Sequence, residues 1–178
     1  MLNFGLPAFG FALGALAFAA LGALIALGPR RDSVHWALVL GAMLSAIWLG
    51  LTALIRAEFL YLPLRGLTAL EVLRSLAWAA VPCLYAAAGE RLLTGTFGRR
   101  VGRSVALYLG IALLLSLLAV GALVFGRGKL DTLTLVSLLG LAVTGLAGVE
   151  LLYRNTHADD RWAIKYLCLG IGLIFGYD

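Results

Sequence analysis

Ionisable side chains inside otherwise apolar stretches are the residues of this chain best placed to do chemistry. Glu71 and Arg74 are three residues apart, so on a helix they share one face and can form an ion pair. Asp178 follows Lys165 by 13 residues, which is about 20 Å along a helix and gives it a depth close to that of Arg74. A charged side chain at the centre of a membrane helix costs roughly 2.5 to 3.5 kcal/mol, so each is a candidate functional residue. We therefore predict an intramembrane polar cluster of Glu71, Arg74 and Asp178, with a salt bridge between Arg74 and Asp178.

Sequence motifs that carry catalysis are missing from the chain. The segment 126–129 (Gly-Arg-Gly-Lys) is similar to a phosphate-binding loop, but Leu123 and Leu130 stand where that motif requires Gly and Ser or Thr. His35 and His157 lie at the ends of apolar blocks or in loops without a triad partner nearby, and we expect both to be solvated there. We predict no catalytic, cofactor-binding or metal-binding residue, and no enzymatic activity, within residues 1–178.

The amino-acid composition indicates what kind of structure positions these residues. Of the 178 residues, 62% are hydrophobic and 13% are charged, whereas a soluble domain has about 25% charged residues. We therefore expect the partner of this largely apolar chain to be the lipid bilayer. The net charge of +5 arises from basic residues in short loops beside apolar blocks, which indicates membrane topology and not a nucleic-acid partner. Cys83 and Cys168 lie inside apolar blocks without other metal ligands nearby, so we expect buried thiols.

Six apolar blocks predict an all-α fold, a polytopic bundle of transmembrane helices that forms a single integral membrane domain over residues 1–178. The first five are each about 20 residues or longer, which is the length needed to cross a bilayer. The sixth ends after about 16 residues, so we interpret the chain as the N-terminal part of a longer protein with its last span truncated. The blocks are 4–27, 34–55, 67–88, 105–125, 130–152 and 163–178.

Basic residues between the blocks predict the orientation. Nine of the fourteen lie on one side, four lie on the other, and Arg74 lies within the third block. Because cytoplasmic loops are enriched in Lys and Arg, we expect the N-terminus outside. The loops expected in the cytoplasm are 28–33, 89–104 and 153–162, and those expected outside are 56–66 and 126–129.

Three further features concern how the helices pack and move. Pro82 removes a backbone donor inside the third block and is a candidate hinge. Trp36 and Trp48 are expected near the two membrane interfaces, as aromatic residues of a span often are. The apolar loop 59–64 suits either contact with the membrane surface or the lining of a ligand pocket. Small residues recur every fourth position. Their spacing allows these faces to pack within one chain or between subunits, and we expect the first. These small residues are Gly10 and Gly14; Ala42, Ala46 and Gly50; Gly140, Thr144 and Gly148; and Gly172 and Gly176.

A resemblance to a known family is carried by two segments near the C-terminal end. They are Leu152-Tyr153-Arg154-Asn155-Thr156 and Arg161-Trp162-Ala163-Ile164-Lys165-Tyr166-Leu167-Cys168-Leu169-Gly170. This stretch resembles the membrane region of the histidine kinase of the exosortase (PEP-CTERM) system. The resemblance implies a multi-pass protein of the bacterial inner membrane, in which a cytoplasmic kinase core follows the helices, binds ATP and Mg²⁺, and phosphorylates a response regulator. It also implies regulation of exopolysaccharide or PEP-CTERM export genes.

The function expected from this resemblance is that of a membrane sensor, or input domain, in a two-component system. A stimulus would bias the helix packing, and the geometry of a homodimer would relay the change to the kinase. The candidate relay loop lies on the predicted cytoplasmic side. It comprises Glu150, Tyr153, Arg154, Asn155, Arg161, Trp162 and Lys165. The alternative is a small membrane transporter or channel subunit, which would need a polar pathway through the helices.

Overall fold

Every regular element that the computed structural model describes is an α-helix. The described residues are 6–29, 32–90, 96–125, 132–155, 165, 168–172 and 174. The helices are α1 (Leu6–Ala26), α2 (Ser33–Arg56), α3 (Leu64–Glu90), α4 (Thr96–Phe125) and α5 (Thr132–Asn155). The predicted all-α fold class is therefore confirmed.

Five helices in this part of the chain are long and apolar enough to cross a membrane, as expected of a multi-pass membrane protein. Their apolar spans match the first five predicted blocks, whereas block 163–178 is described only in part and its crossing stays a prediction. The spans are Pro7–Ala26, Ser33–Arg56, Gly66–Tyr85, Val105–Ala122 and Thr132–Leu151.

The start of α4 differs from the sequence prediction. Residues 89–104 were expected to form a loop, but α4 begins at Thr96 and takes Arg99, Arg100 and Arg103 into its first turns. Hydropathy marks where apolar residues begin, and a helix does not have to end there. Three arginines favour a helix here and no proline interrupts the segment, although Gly98 and Gly102 lower its helix propensity.

Local signals in the sequence set both ends of α2. Asp32 has extended backbone angles (φ −82°, ψ 173°) and its carboxylate accepts a hydrogen bond of 2.8 Å from the backbone N–H of His35, an N-cap. At the other end the backbone N–H of Glu58 donates to the carbonyl of Ile55, and that of Phe59 donates to the carbonyl of Leu54. This is the Schellman arrangement, and Glu58 takes its left-handed position with φ 61°.

Contacts divide the chain into two compact units, Met1–Ala77 and Trp78–Asp178. In the first unit α1 packs along α2, and small residues permit the close approach. A Cβ atom placed on Gly22 would lie 3.0 Å from Met43 Sδ, and one on Gly14 would lie 3.3 Å from Leu49 Cδ1. Ala42 is completely buried. The small-residue faces of α1 and α2 therefore meet within one chain, as predicted, although Gly10 faces open space.

In the second unit α4 packs against α5, again through glycines. A Cβ atom on Gly140 would lie 3.1 Å from Leu115 Cδ2, and one on Gly148 would lie 2.6 Å from Tyr108 Cζ. The predicted small-residue face of α5 is therefore an intrachain packing surface. Gly172, which belongs to the last predicted stripe, would have nothing within 4 Å of an added Cβ atom.

Large apolar side chains cover the outward faces of these helices. Leu16 and Leu24 of α1 are 69% and 71% exposed, and Leu117 of α4 is 70% exposed. A helix that is apolar on every side is typical of a membrane span, because lipid solvates the outward side chains. Outside a bilayer this surface would not be stable in water.

Candidate functional site

Arg74 is the buried charged residue around which the candidate site is built. It lies in the N-terminal half of α3, and only 4% of its surface is exposed. Its guanidinium carbon lies 4.5 Å from the centroid of the Trp48 ring. A guanidinium over the face of an indole is a cation–π contact, and its strength increases when water is excluded. Arg74 lies within the apolar stretch Gly66–Tyr85 of α3, and its place inside the membrane stays a prediction.

Trp48 joins three helices in the first unit. Its ring also meets the ring of Phe11 on α1, edge to face, with centroids 6.5 Å apart and an interplanar angle of 76°. Its indole nitrogen is buried and has no hydrogen-bond partner. We call Phe11, Trp48 and Arg74 the aromatic–arginine cluster. Trp48 is thus a packing residue that also contacts a cation, and its predicted place near a membrane interface stays a prediction; Trp36 is 54% exposed.

Of the other two members of the predicted polar cluster, the structure describes only Glu71. Glu71 is half-buried one turn before Arg74, and its backbone carbonyl accepts a hydrogen bond of 2.9 Å from the Ser75 hydroxyl. The ion pair predicted between Glu71 and Arg74 stays a prediction. Asp178 lies outside the described residues, and so does its predicted bridge to Arg74.

Pro82 is buried inside α3, and the helix continues through it from Leu64 to Glu90. Proline lacks the N–H that would bond to the carbonyl of Trp78, so one backbone hydrogen bond is missing at this turn. The same helix begins in the first compact unit and ends in the second. The position suits a hinge, which stays a prediction.

The candidate relay loop begins at the end of α5. The Glu150 carboxylate pairs with Arg154 Nε at 3.0 Å, one helical turn further on, and both side chains are largely exposed. Such a surface pair contributes about 0.3 to 0.5 kcal/mol, so it favours the last turn of α5 only slightly. Tyr153 and Lys165 are exposed. The side chain of Asn155 is not described, and Arg161 and Trp162 lie outside the described residues.

Two buried polar groups were not anticipated from the sequence. Tyr108 of α4 is 7% exposed, and its hydroxyl is buried against Gly148 of α5 without a hydrogen-bond partner. His35 is also 7% exposed, with an unpartnered Nε2 and its ring edge-on to Trp36 at 5.4 Å. The predicted solvation of His35 is therefore wrong: its ring lies near Gly28, where an added Cβ atom would be 3.8 Å from His35 Cε1. His157 lies outside the described residues.

The remaining predicted sites can be compared with the structure only in part. Cys83 and Cys168 are both free and buried, as predicted, and Cys168 packs against Tyr85 and Val149. Among the described residues there is no group of three or more His, Cys, Asp or Glu side chains that could hold a metal ion.

Comparison with the models of known protein families, with curated proteins and with solved structures found no match.

Proposed function

We propose that this chain is the membrane sensor region of a two-component histidine kinase, as the resemblance at residues 152–170 implies. In this proposal the chain is the N-terminal part of a longer protein of the bacterial inner membrane, with six spans and the N-terminus outside. The observation that carries the proposal is a cation kept inside an apolar helix, with Arg74 packed on Trp48. A buried charge costs free energy and is retained where it has a function.

The aromatic–arginine cluster would then lie in the outer half of the membrane. Trp48 is about 12 Å from Arg56 along α2, and Arg74 is about 12 Å from Gly66 along α3. Arg56 and Gly66 lie at the ends of their spans, and the charge count assigns both of these ends to the outer side of the membrane. Phe11 lies in the N-terminal half of α1, which the same count places outside. A stimulus in the outer leaflet or periplasm would reach this cluster first.

The relay from the cluster would run along α3 and then α5. In a two-state packing, Arg74 stays on the Trp48 ring in one state and leaves it in the other, and Pro82 lets the two halves of α3 move separately. The inner end of α5, where Glu150 and Arg154 pair, would pass the change to the downstream modules of a homodimer. The kinase core of the longer protein would bind ATP and Mg²⁺ and phosphorylate its response regulator.

The full-length product of the native gene tests this proposal in proteoliposomes. We expect it to incorporate phosphate from ATP. Replacing Trp48 by Phe weakens the cation–π contact, which is worth about 1 to 2 kcal/mol when desolvated. Phe keeps part of this energy, and a loss of about 0.7 to 1.4 kcal/mol corresponds to a threefold to tenfold change. We therefore expect Trp48→Phe to shift the basal autophosphorylation level by about that factor.

Trp36→Phe is the matched control, because Trp36 belongs to the same helix but faces outward. It should leave autophosphorylation unchanged. A full-length protein that takes up no phosphate from ATP would refute the kinase proposal. Equal autophosphorylation in both variants and the parent protein would remove the cluster from the signalling mechanism.

A second candidate is a small transporter or channel subunit, which buried hydroxyl groups in the second unit favour. Ser116, Ser137 and Thr144 are all buried on α4 and α5. It ranks second because the Ser116 hydroxyl donates to the Ala112 carbonyl and the Thr144 hydroxyl donates to the Gly140 carbonyl, both within their own helices. Solute uptake by proteoliposomes without any ATP-dependent phosphorylation would favour this candidate.

A further inference from the structure

The segment 58–63, which joins α2 to α3 and which we call the α2–α3 loop, exposes a group of large apolar side chains. Tyr61 is 88% exposed, Phe59 is 56% exposed and Leu62 is 37% exposed. We propose that this loop is an interfacial anchor, in which Phe59 and Tyr61 insert into the leaflet at that end of α2. Its partner is the bilayer that the helices themselves cross.

The backbone keeps the loop at the level where the spans end. The apolar span of α2 ends at Arg56 and that of α3 begins at Gly66. The left-handed Glu58 reverses the chain directly after α2, and the backbone N–H of Phe59 bonds back to the Leu54 carbonyl at 3.0 Å. Phe59 therefore stays beside the last turn of α2 and does not extend into water.

The side chains of the loop match the chemistry of the boundary between headgroups and acyl chains. Residues 59–62 are Phe, Leu, Tyr and Leu, without a charge. A phenol suits this boundary because its ring is apolar and its hydroxyl can reach water. Arg56 is exposed on the last turn of α2, where its guanidinium can meet a lipid phosphate.

The exposed fractions decide between the two roles that the sequence left open. Aromatic residues that line a ligand pocket are enclosed by protein, whereas more than half of the surface of Phe59 and of Tyr61 is exposed. Left in water, this much apolar surface would be unfavourable. Lipid solvates this apolar surface without requiring another protein surface.

Spin-label accessibility in vesicles of phosphatidylcholine and phosphatidylglycerol tests this proposal on the full-length protein. A nitroxide is attached at Tyr61→Cys, and at Phe59→Cys as an independent variant in case one of them fails to fold. Ser33→Cys, exposed at the first turn of α2, provides the aqueous reference. Leu16→Cys, exposed in the middle of α1, provides the lipid reference. The parent protein, with its two buried thiols, gives the background labelling.

We expect the labels in the loop to lose accessibility to a water-soluble nickel chelate relative to Ser33, while they remain accessible to oxygen. Their depth should lie between the two references. Nickel accessibility equal to that of the Ser33 label would overturn the proposal, because the loop would then lie in water. Loss of accessibility to both reagents would also overturn it, since the loop would then be covered by protein, either in a pocket or against a second copy of the chain. Neither outcome depends on kinase activity.

Discussion

At the residue scale, Gly148 is the described glycine at which an added Cβ atom would come closest to another side chain, that of Tyr108. A Cβ atom at position 148 would lie 2.6 Å from Tyr108 Cζ, so Gly148→Ala requires either the buried Tyr108 ring or the two helices to move. We expect it to lower the free energy of unfolding by about 1 to 3 kcal/mol, as overpacking does, measured by denaturation with SDS in mixed micelles. Gly110→Ala is the matched control, because nothing lies within 4 Å of that position.

The cause of this effect can be checked in a second background. If the clash with the tyrosine ring is responsible, Gly148→Ala should be much less destabilising when Tyr108 is already alanine, because the two changes are coupled. An equal loss of stability in both backgrounds would contradict the contact.

A second residue of interest is Glu58, since a left-handed backbone is unfavourable for any residue except glycine. Its φ of 61° costs about 1 kcal/mol relative to glycine. We expect Glu58→Gly to raise the unfolding free energy by about that amount. Ala57→Gly is the control and should lower it, because Ala57 has an ordinary φ of −87°. Destabilisation by Glu58→Gly would show that the carboxylate makes a contact that outweighs the strain.

At the element scale, α3 differs from the other helices because it carries both Arg74 and Pro82. If Pro82 is a hinge, Pro82→Ala restores a backbone hydrogen bond and stiffens the helix. We expect autophosphorylation of the full-length protein to change while the unfolding free energy is maintained. Val81→Ala is the matched control, because Val81 is equally buried and its truncation also leaves a small void. Equal autophosphorylation in the two variants would mean that Pro82 only packs.

The same scale shows how far the sequence can predict this fold. Apolar blocks located the five described helices that are long and apolar enough to span a membrane, because lipid imposes a length and a composition on each helix. They misplaced the start of α4, since a helix can continue beyond its apolar residues. Charge inside an apolar block singled out Arg74, but the contact of its guanidinium with the Trp48 ring was not predicted. Which residues face each other across two helices depends on tertiary packing, and spacing along one helix does not reveal it. The contact of Tyr108 with Gly148 was not predicted for that reason.

At the scale of the whole molecule, the arrangement of charged loops makes a prediction about orientation. The segments 28–33, 89–104 and 153–162 contain most of the basic residues, and cytoplasmic loops retain such residues because they are translocated poorly. Alkaline phosphatase is active only outside the cytoplasm. Fusions of this enzyme after residues 60 and 128 should therefore be active, and fusions after residues 32, 93 and 158 should be inactive.

Fluorescent-protein fusions at the same five positions provide the control, because they should give the opposite pattern and thereby exclude differences in expression. The reverse pattern in both sets would place the N-terminus inside and the aromatic–arginine cluster in the inner half of the membrane. A periplasmic stimulus would then have no direct path to Arg74. Active phosphatase after both residue 128 and residue 158 would instead mean that α5 does not cross, and the relay at Glu150 and Arg154 would lie on the wrong side for a cytoplasmic kinase. The orientation therefore decides whether an outer stimulus and an inner response can be connected through these helices.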